Sequence, residues 1–274
     1  MKVIDTHIHI FERPYSDLFD NSHIKDGEDG ELHLYEEYRR KYDIESAFVI
    51  CYDEGHCPAN SLYVKGLAEK HKWIHSFGYV RPGNHFQSDA ERIIFDGHFG
   101  ISCYLKKDDS GEWLRSRGLS FLQNNNIPLS LTIWPHQCNA LRKVLADFPE
   151  TTILINHMGR PSSENMKNYD AILSLSKFEN VYIKLSGFYA FSSEGWRCPQ
   201  KDMFHVIDLL KNNYGSERLM FASDFSPVLE FNTYRQTLEM LRLDYCGFSE
   251  KELENIYCLN AKKMIQKRIK RKRS

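Results

Sequence analysis

Strand-like and helix-like segments alternate along almost the whole chain, and this alternation is the strongest constraint on its fold. Segments rich in β-branched and aromatic residues, which favour β-strands, occur eight times, at 3–9, 46–52, 73–81, 100–106, 128–134, 152–157, 181–187 and 218–224. Helical periodicity occurs at 34–42, 60–71, 88–97, 113–125, 138–148, 168–177, 201–213, 233–243 and 249–268. Because parallel strands need crossovers, the alternation predicts a parallel sheet.

Eight such units predict an α/β protein with a (β/α)8 TIM-barrel fold, as one domain over residues 1–274. An open doubly wound sheet is the structural alternative, but no Gly-X-Gly-X-X-Gly turn follows the first strand. Turn signals support the boundaries, as at Asn125-Asn126-Ile127-Pro128 before the fifth strand and Tyr214-Gly215 before the eighth. A hydrophobic content of 42% suffices for one large core.

Cysteine usage and the first residues indicate a cytoplasmic protein. The seven cysteines are scattered and form no Cys-X-X-Cys pair, so neither a disulfide framework nor a zinc knuckle is expected. Asp5 and His7 fall where a signal peptide would need apolar residues. No run approaches the roughly 18 apolar residues of a membrane span, so we expect no membrane association.

Basic residues are concentrated at the end of the chain. Residues 262–274 hold eight Lys or Arg and no acid, which leaves 28 basic against 37 acidic residues in the rest. Such a tail can contact nucleic acid or an anionic membrane, but a solvated helix end is the favoured interpretation. The partner expected from the sequence is therefore a small-molecule substrate and not nucleic acid, and a homo-oligomer is compatible with it.

A long polar segment separates the first strand from its helix. Residues 10–33 are rich in Asp, Glu, Gly and Asn. In a barrel this loop would project from the catalytic face, so it is a candidate lid. A disordered insertion is the alternative.

The first strand carries two closely spaced histidines, His7 and His9. Period-two alternation predicts that Asp5 shares a face with them and that Ile4 and Ile8 lie on the other face. Two imidazoles at the barrel mouth suit a divalent metal or a polarised substrate oxygen. A hydrogen-bonded pair of core histidines is the alternative.

Three later strands direct further polar groups to the same mouth. His157 ends the sixth strand, and Asp224 ends the eighth, which neighbours the first in a closed barrel. An acid there can ligate a metal or activate water, whereas an N-cap or turn role is the alternative. Lys184 shares a face with Ser186 on the seventh strand, where it can anchor a substrate or pair with an acid such as Asp224.

These motifs resemble the amidohydrolase-related family of the amidohydrolase superfamily. The resemblance is carried by 4–9, His157-Met158-Gly159-Arg160-Pro161, Lys184-Leu185-Ser186-Gly187, 222–227 and 254–261. The order from Gly100 through Glu112-Trp113-Leu114 and Ile127-Pro128-Leu129 to Pro161 is similar to that of the family's sugar-lactonase-like branch.

The resemblance implies a barrel hydrolase that opens a lactone ring with water. It implies that Asp224 takes the proton from water, while the histidines, the metal, or both polarise the carbonyl. The candidate catalytic residues are Asp224, His157 and Lys184. The resemblance also implies one divalent metal ion, most often zinc, although metal-free members exist. The metal ligands implied are His7, His9, His157 and Asp224.

The sequence departs from the family pattern on two strands. Metal-dependent relatives end the fifth strand in a histidine, but Trp134 stands there and His136 follows two residues later. On the fourth strand, Ser102 and Leu105 occupy places where relatives that bind carboxylated lactones have arginines. A neutral sugar lactone, or a substrate of another kind, is therefore favoured. Candidate substrate-binding or pocket-lining residues are Tyr104, Lys106, His136, Arg160, Tyr189, Trp196 and Arg197.

Two other functions stay open. The first is a metal-dependent decarboxylase of the same family, which Trp134 disfavours. The second is a non-catalytic barrel that binds a metabolite or, through its basic tail, nucleic acid. The presence of His7, His157 and Asp224 together argues against a site that has lost its activity.

Overall fold

Eight parallel strands form one sheet whose order follows the chain, from β1 to β8. The computed structural model describes residues 1–12, 29–55, 57–110, 118–162 and 166–272, with side chains as far as 270. The strands are β1 (Val3–Ile8), β2 (Ile44–Ile50), β3 (Ile74–Tyr79), β4 (Gly100–Tyr104), β5 (Leu129–Thr132), β6 (Ile153–Ile155), β7 (Val181–Leu185) and β8 (Leu219–Phe221). The predicted single-domain (β/α)8 TIM barrel is confirmed.

Helices follow the strands, as the periodicity predicts. They are α1 (Gly30–Tyr42), α2 (Asn60–Lys70), α3 (Phe86–Phe95), α4 (Gly118–Asn124), α5 (Cys138–Asp147), α6 (Asp170–Leu173), α7 (Phe188–Phe191), α8 (Phe204–Tyr214), α9 (Tyr234–Glu239), α10 (Glu250–Glu254) and α11 (Asn260–Lys272). Gly215 ends α8 with a φ of 65°, a conformation that glycine adopts without strain. A π-helical turn, Asn255–Leu259, joins α10 to α11.

The barrel closes between β8 and β1 through irregular backbone and buried side chains. The Asp224 amide donates to the His7 carbonyl at 2.9 Å, and Ile8 forms an isolated parallel bridge with Phe225. The Thr6 hydroxyl donates to the Phe221 carbonyl at 2.7 Å. This seam brings the end of β8 directly against the end of β1.

The predicted placement of Asp5 beside the histidines is wrong. The pairing of β1 with β2 shifts register between Asp5 and Ile8, so the strand contains a bulge. Ile4 packs in the hydrophobic cluster inside the barrel, whereas Ile8 belongs to the hydrophobic cluster between the strands and the helices. The bulge reverses the alternation, so Asp5 faces outward while His7 faces inward.

Asp5 has a structural role on the outer side of the seam. Its carboxylate accepts hydrogen bonds from the Ser223 amide at 2.8 Å, the Tyr234 hydroxyl at 2.8 Å and the Tyr35 hydroxyl at 3.1 Å. Tyr35 belongs to α1 and Tyr234 to α9. One buried carboxylate therefore joins both helices to the closure of the barrel.

The basic end of the chain begins as a helix packed on the barrel. Arg268 of α11 is buried, and its guanidinium donates to the carbonyls of Phe99 at 3.1 Å and Asn125 at 3.0 Å. Within the part of the chain that the structure describes, no helix is both long and apolar enough to span a bilayer. Most of the proposed lid, residues 13–28, and the segment 111–117 lie outside the described residues, so the lid stays a prediction.

Candidate active site

The two histidines of the first strand converge at the mouth of the barrel. His7 Nε2 lies 3.2 Å from His9 Nε2. The other ring nitrogen of His9, Nδ1, is 2.8 Å from the Ile50 carbonyl, which can only accept a hydrogen bond. The proton of neutral His9 therefore resides on Nδ1, and its Nε2 lone pair points to the same place as His7 Nε2.

His157 and Asp224 reach this place from turns that follow their strands. The sequence predicts them as strand ends, but β6 ends at Ile155 and β8 at Phe221. Both have left-handed backbone, with φ of 50° at His157 and 62° at Asp224. Such a conformation is uncommon for residues other than glycine and is concentrated at functional sites. It turns both side chains toward His7.

Asp224 lies at the centre of the cluster. Its Oδ1 atom is 3.7 Å from both His7 Nε2 and His9 Nε2, and its Oδ2 atom is 3.7 Å from His157 Nδ1. The Tyr189 hydroxyl donates a 2.8 Å hydrogen bond to Oδ2. The carboxylate is almost completely buried and is held between three imidazoles and a phenol.

A buried polar network supports the histidines from inside the barrel. Lys184 Nζ lies 3.4 Å from His7 Nδ1 and 2.8 Å from the Ser130 hydroxyl. Ser130 donates to the Asn156 side-chain carbonyl at 2.8 Å. Directly after β7, the Ser186 hydroxyl lies 3.0 Å from His157 Nδ1, so Lys184 and Ser186 both face the histidines of the site.

Burial favours the uncharged form of the three histidines. It lowers the pKa of His157 to about 3 and, with Lys184 nearby, holds the pKa of His7 well below its usual range. The pKa of His9 is also lowered by burial, although Asp224 opposes the shift. The imidazoles are therefore neutral near pH 7, the form that binds metals.

The two charged groups of the site shift in opposite directions. Burial lowers the pKa of the Lys184 ammonium well below its ordinary value, and Asp224 and Asp5 oppose that shift. Burial raises the pKa of Asp224, against the opposing effects of His9, the Tyr189 hydrogen bond and Lys184. A raised pKa makes the Asp224 carboxylate a stronger base than an exposed aspartate.

The donor set fits a divalent metal ion. Ligand atoms of His7, His157 and Asp224 all lie within 4.8 Å of one another. Two nitrogens bound to one tetrahedral zinc ion are about 3.3 Å apart, and the Nε2 atoms of His7 and His9 are separated by 3.2 Å. The hydrogen bond from His9 Nδ1 to Ile50 is the kind of support that orients metal-binding histidines.

Trp134 lies beside the mouth, where it packs against Arg160. The guanidinium of Arg160 is 4.0 Å from the centre of the Trp134 ring and 5.4 Å from that of Phe191. His136 points elsewhere: it is exposed, and its Nε2 lies 2.9 Å from the Lys107 carbonyl. The structure therefore does not bring His136 to the histidine cluster.

The remaining sequence candidates divide between the site and the surface. Tyr189 contacts Asp224, and Tyr104 ends β4 with its ring packed on the cluster inside the barrel. Lys106 is exposed, and Arg197 pairs with Glu194 at 3.0 Å on the surface. A role in substrate binding stays a prediction for Arg160, Lys106, His136 and Arg197.

Two residues of the supporting network were not identified in the sequence. Ser130 contacts both Lys184 and Asn156, yet Ser130 and Asn156 each look like an ordinary polar residue at or beside a strand. Ser130 alternates with the buried Leu129 and Leu131, so inward alternation was a signal for it. Asn156 immediately precedes His157, but nothing in its neighbourhood distinguishes it from a turn residue.

Comparison with known proteins identifies the family. The sequence profile of the family described as amidohydrolase matches residues 4–266. The chain belongs to the amidohydrolase family. An uncharacterised protein of Sinorhizobium fredii, y4mH, is 22% identical over 205 residues, a match that spans 72% of this chain and 64% of that protein's length.

Solved structures of this amidohydrolase fold are similar over almost the whole chain. An amidohydrolase from Burkholderia multivorans with bound zinc has a TM-score of 0.78 at 16% identity, covering 97% of this chain and 99% of that one. A probable 2-pyrone-4,6-dicarboxylic acid hydrolase from Acinetobacter baumannii, with citric acid bound, has a TM-score of 0.73 at 16% identity, covering 97% and 100%. At these identities the likeness establishes the fold.

Proposed function

We propose that the protein is a hydrolase that opens a lactone ring, using Asp224 to activate water. The observation that carries the proposal is the position of the Asp224 carboxylate, 3.7 Å from each of three histidines at the barrel mouth. The A. baumannii neighbour is named for hydrolysis of a pyrone, which is itself a lactone. Trp134, in place of a strand-five histidine, favours this reaction over metal-dependent decarboxylation.

In the proposed reaction, a water oxygen adds to the lactone carbonyl carbon while Asp224 takes the proton of that water. The ring carbon–oxygen bond then breaks, and the proton passes to the departing ring oxygen, so that the product is a hydroxy acid. Tyr189 keeps the carboxylate oriented through its hydrogen bond to Oδ2. Lys184 orients the His7 ring through its contact with Nδ1.

The residues that would hold a divalent ion, zinc in this proposal, are His7, His9, His157 and Asp224. A bound ion would polarise the lactone carbonyl and lower the pKa of water. The neutral state of the imidazoles, which follows from their burial, suits that role.

The test is a pH-indicator screen of sugar lactones and dicarboxylic lactones, combined with the metal content of the purified protein. Hydroxy-acid formation by the wild type is expected, and Asp224→Asn should lower kcat by about 100-fold to 10,000-fold with the fold retained. Asp208→Asn, on the exposed face of α8, is the matched control. Near wild-type activity in Asp224→Asn would refute the assigned role, and loss of a carboxylate without ring opening would favour a decarboxylase.

A further inference from the structure

The inward face of β4 carries two buried hydroxyls, at Ser102 and Tyr104. The residues are two apart on one strand and therefore share a face. Within the described residues, the two hydroxyls interact with one another but have no other hydrogen-bond partner. Buried polar groups in native proteins are nearly always fully hydrogen-bonded. Two hydroxyls beside an active site that contact only each other therefore indicate a ligand that hydrogen-bonds to them.

Both residues are adjacent to the catalytic cluster. Ser102 pairs in register with Ser130 of β5, whose hydroxyl contacts Lys184. Tyr104 is the last residue of β4, so it lies at the catalytic end of the barrel. Burial, with a smaller contribution from the charge of Asp224, raises the pKa of Tyr104, which keeps the phenol protonated and able to donate.

The Tyr104 ring is fixed by its aromatic neighbours. Its centre lies 5.1 Å from that of Tyr52 and 6.1 Å from that of Tyr79. Tyr79 is itself anchored, because its hydroxyl donates to Glu54 Oε1 at 2.6 Å. A ring held in this way cannot swing to find another partner for its hydroxyl, so the hydroxyl is positioned in advance for a ligand.

The surroundings favour a neutral ligand over a carboxylate. Glu54, which accepts the hydrogen bond from Tyr79, also lines a surface cavity of about 560 Å³. The charged lining of this cavity comprises three acids and two bases: Glu54, Asp108, Asp109, Arg81 and Lys106. Arg81 is already close to Glu54, at 3.5 Å. This balance does not attract an anion, whereas hydroxyl groups on the protein suit hydroxyl groups on a substrate.

We propose that the hydroxyls of Ser102 and Tyr104 form a subsite that binds a ring hydroxyl group of a neutral, hydroxylated lactone. The inference rests on the proposed function and assigns its substrate-binding group. Tyr104 donates a hydrogen bond to the substrate hydroxyl. Ser102, which lies two residues earlier on β4 and deeper in the barrel, makes the second hydrogen bond to the same group. Both are substrate-binding residues, separate from the histidines that face the carbonyl.

The test compares Tyr104→Phe with wild type on two lactones, glucono-δ-lactone and the unsubstituted δ-valerolactone. Phenylalanine keeps the packing against Tyr52. We expect kcat/KM for glucono-δ-lactone to fall by about tenfold, and that for δ-valerolactone to stay within about twofold. The Tm should fall by at most about 2 °C, because the only contact that the lost hydroxyl makes within the described residues is the one with Ser102.

Tyr214→Phe is the matched control. The Tyr214 hydroxyl is buried and donates to the Ile172 carbonyl at 2.6 Å, away from the site. This variant should lose about 2–4 °C in Tm with unchanged kcat/KM for both lactones. Equal losses on both lactones in Tyr104→Phe, or no loss on either, would overturn the subsite while leaving the proposed function intact. A wild type that hydrolyses no lactone would overturn both.

Discussion

Lys184 Nζ lies 3.4 Å from His7 Nδ1, on the side of the imidazole opposite to His9 and Asp224. Both side chains are completely buried. We expect the lysine to fix the orientation of His7, which it contacts from inside the barrel. Of the two roles that the sequence left open for Lys184, an ion pair with Asp224 is not found within the described residues, where the amine contacts the Ser130 hydroxyl at 2.8 Å. Anchoring of a substrate stays a prediction.

Replacing Lys184 with methionine should weaken metal binding without unfolding the protein. Loss of a supporting group behind a metal-binding histidine typically lowers affinity about 10-fold to 100-fold. The methionine has similar volume and removes a buried amine, so thermal stability should be retained. Zinc affinity, measured by competition with a chromogenic chelator, checks the prediction. Lys262→Met, near Glu45 on the surface, is the control, and equal affinities for the two variants would contradict it.

Zinc should stabilise the chelator-treated protein through His9. At a zinc concentration about 100 times Kd, the expected gain in unfolding free energy is about 2.7 kcal/mol. His9→Gln should abolish most of this gain, because the Nε2 lone pair directed at His7 is lost. His136→Gln should retain it, because His136 is exposed and bonded to the Lys107 carbonyl. Thermal unfolding with and without zinc distinguishes a site that uses His9 from one that also uses His136, and an equal loss in both variants would identify His136 as a ligand.

Asp5 should make stability depend on pH in a defined direction. Burial raises its pKa from 3.8 to about 6 in the folded state. Between these values the folded state binds a proton that the unfolded state has released. The stabilisation that this proton provides is therefore present below about pH 4 and is lost as pH rises through 6. The free energy of unfolding falls by at most about 3 kcal/mol over this range.

Asp5→Asn should lack this dependence. Urea unfolding of both proteins between about pH 4 and about pH 7 measures it, and the difference between them should narrow as pH rises. The variant should also be less stable at low pH, because an amide cannot reproduce every hydrogen bond from Ser223, Tyr35 and Tyr234. Parallel curves for the two proteins would show that Asp5 does not titrate in this range.

Much of the architecture was predictable because it depends on local pattern. The alternation of strand-like and helix-like segments determines a barrel, since each parallel strand needs a crossover. The type and spacing of His7, His9, His157 and Asp224 also determine that polar groups meet at one end, because the carboxyl ends of parallel strands share an edge. The family resemblance rests on the same residues, and the match over residues 4–266 confirms it.

Other features depend on contacts between segments distant in sequence, and only the tertiary structure decided them. The bulge in β1 turned Asp5 outward toward Tyr35 and Tyr234, and no local pattern signals such a register shift. The left-handed backbone at His157 and Asp224 was also not signalled by the sequence, since only a few per cent of non-glycine residues adopt it. The rings of His7 and His9 are contacted on their Nδ1 sides by Lys184 and Ile50, which lie 177 and 41 residues away. The sequence therefore supplied the histidines, and the closed barrel determined how their rings are oriented.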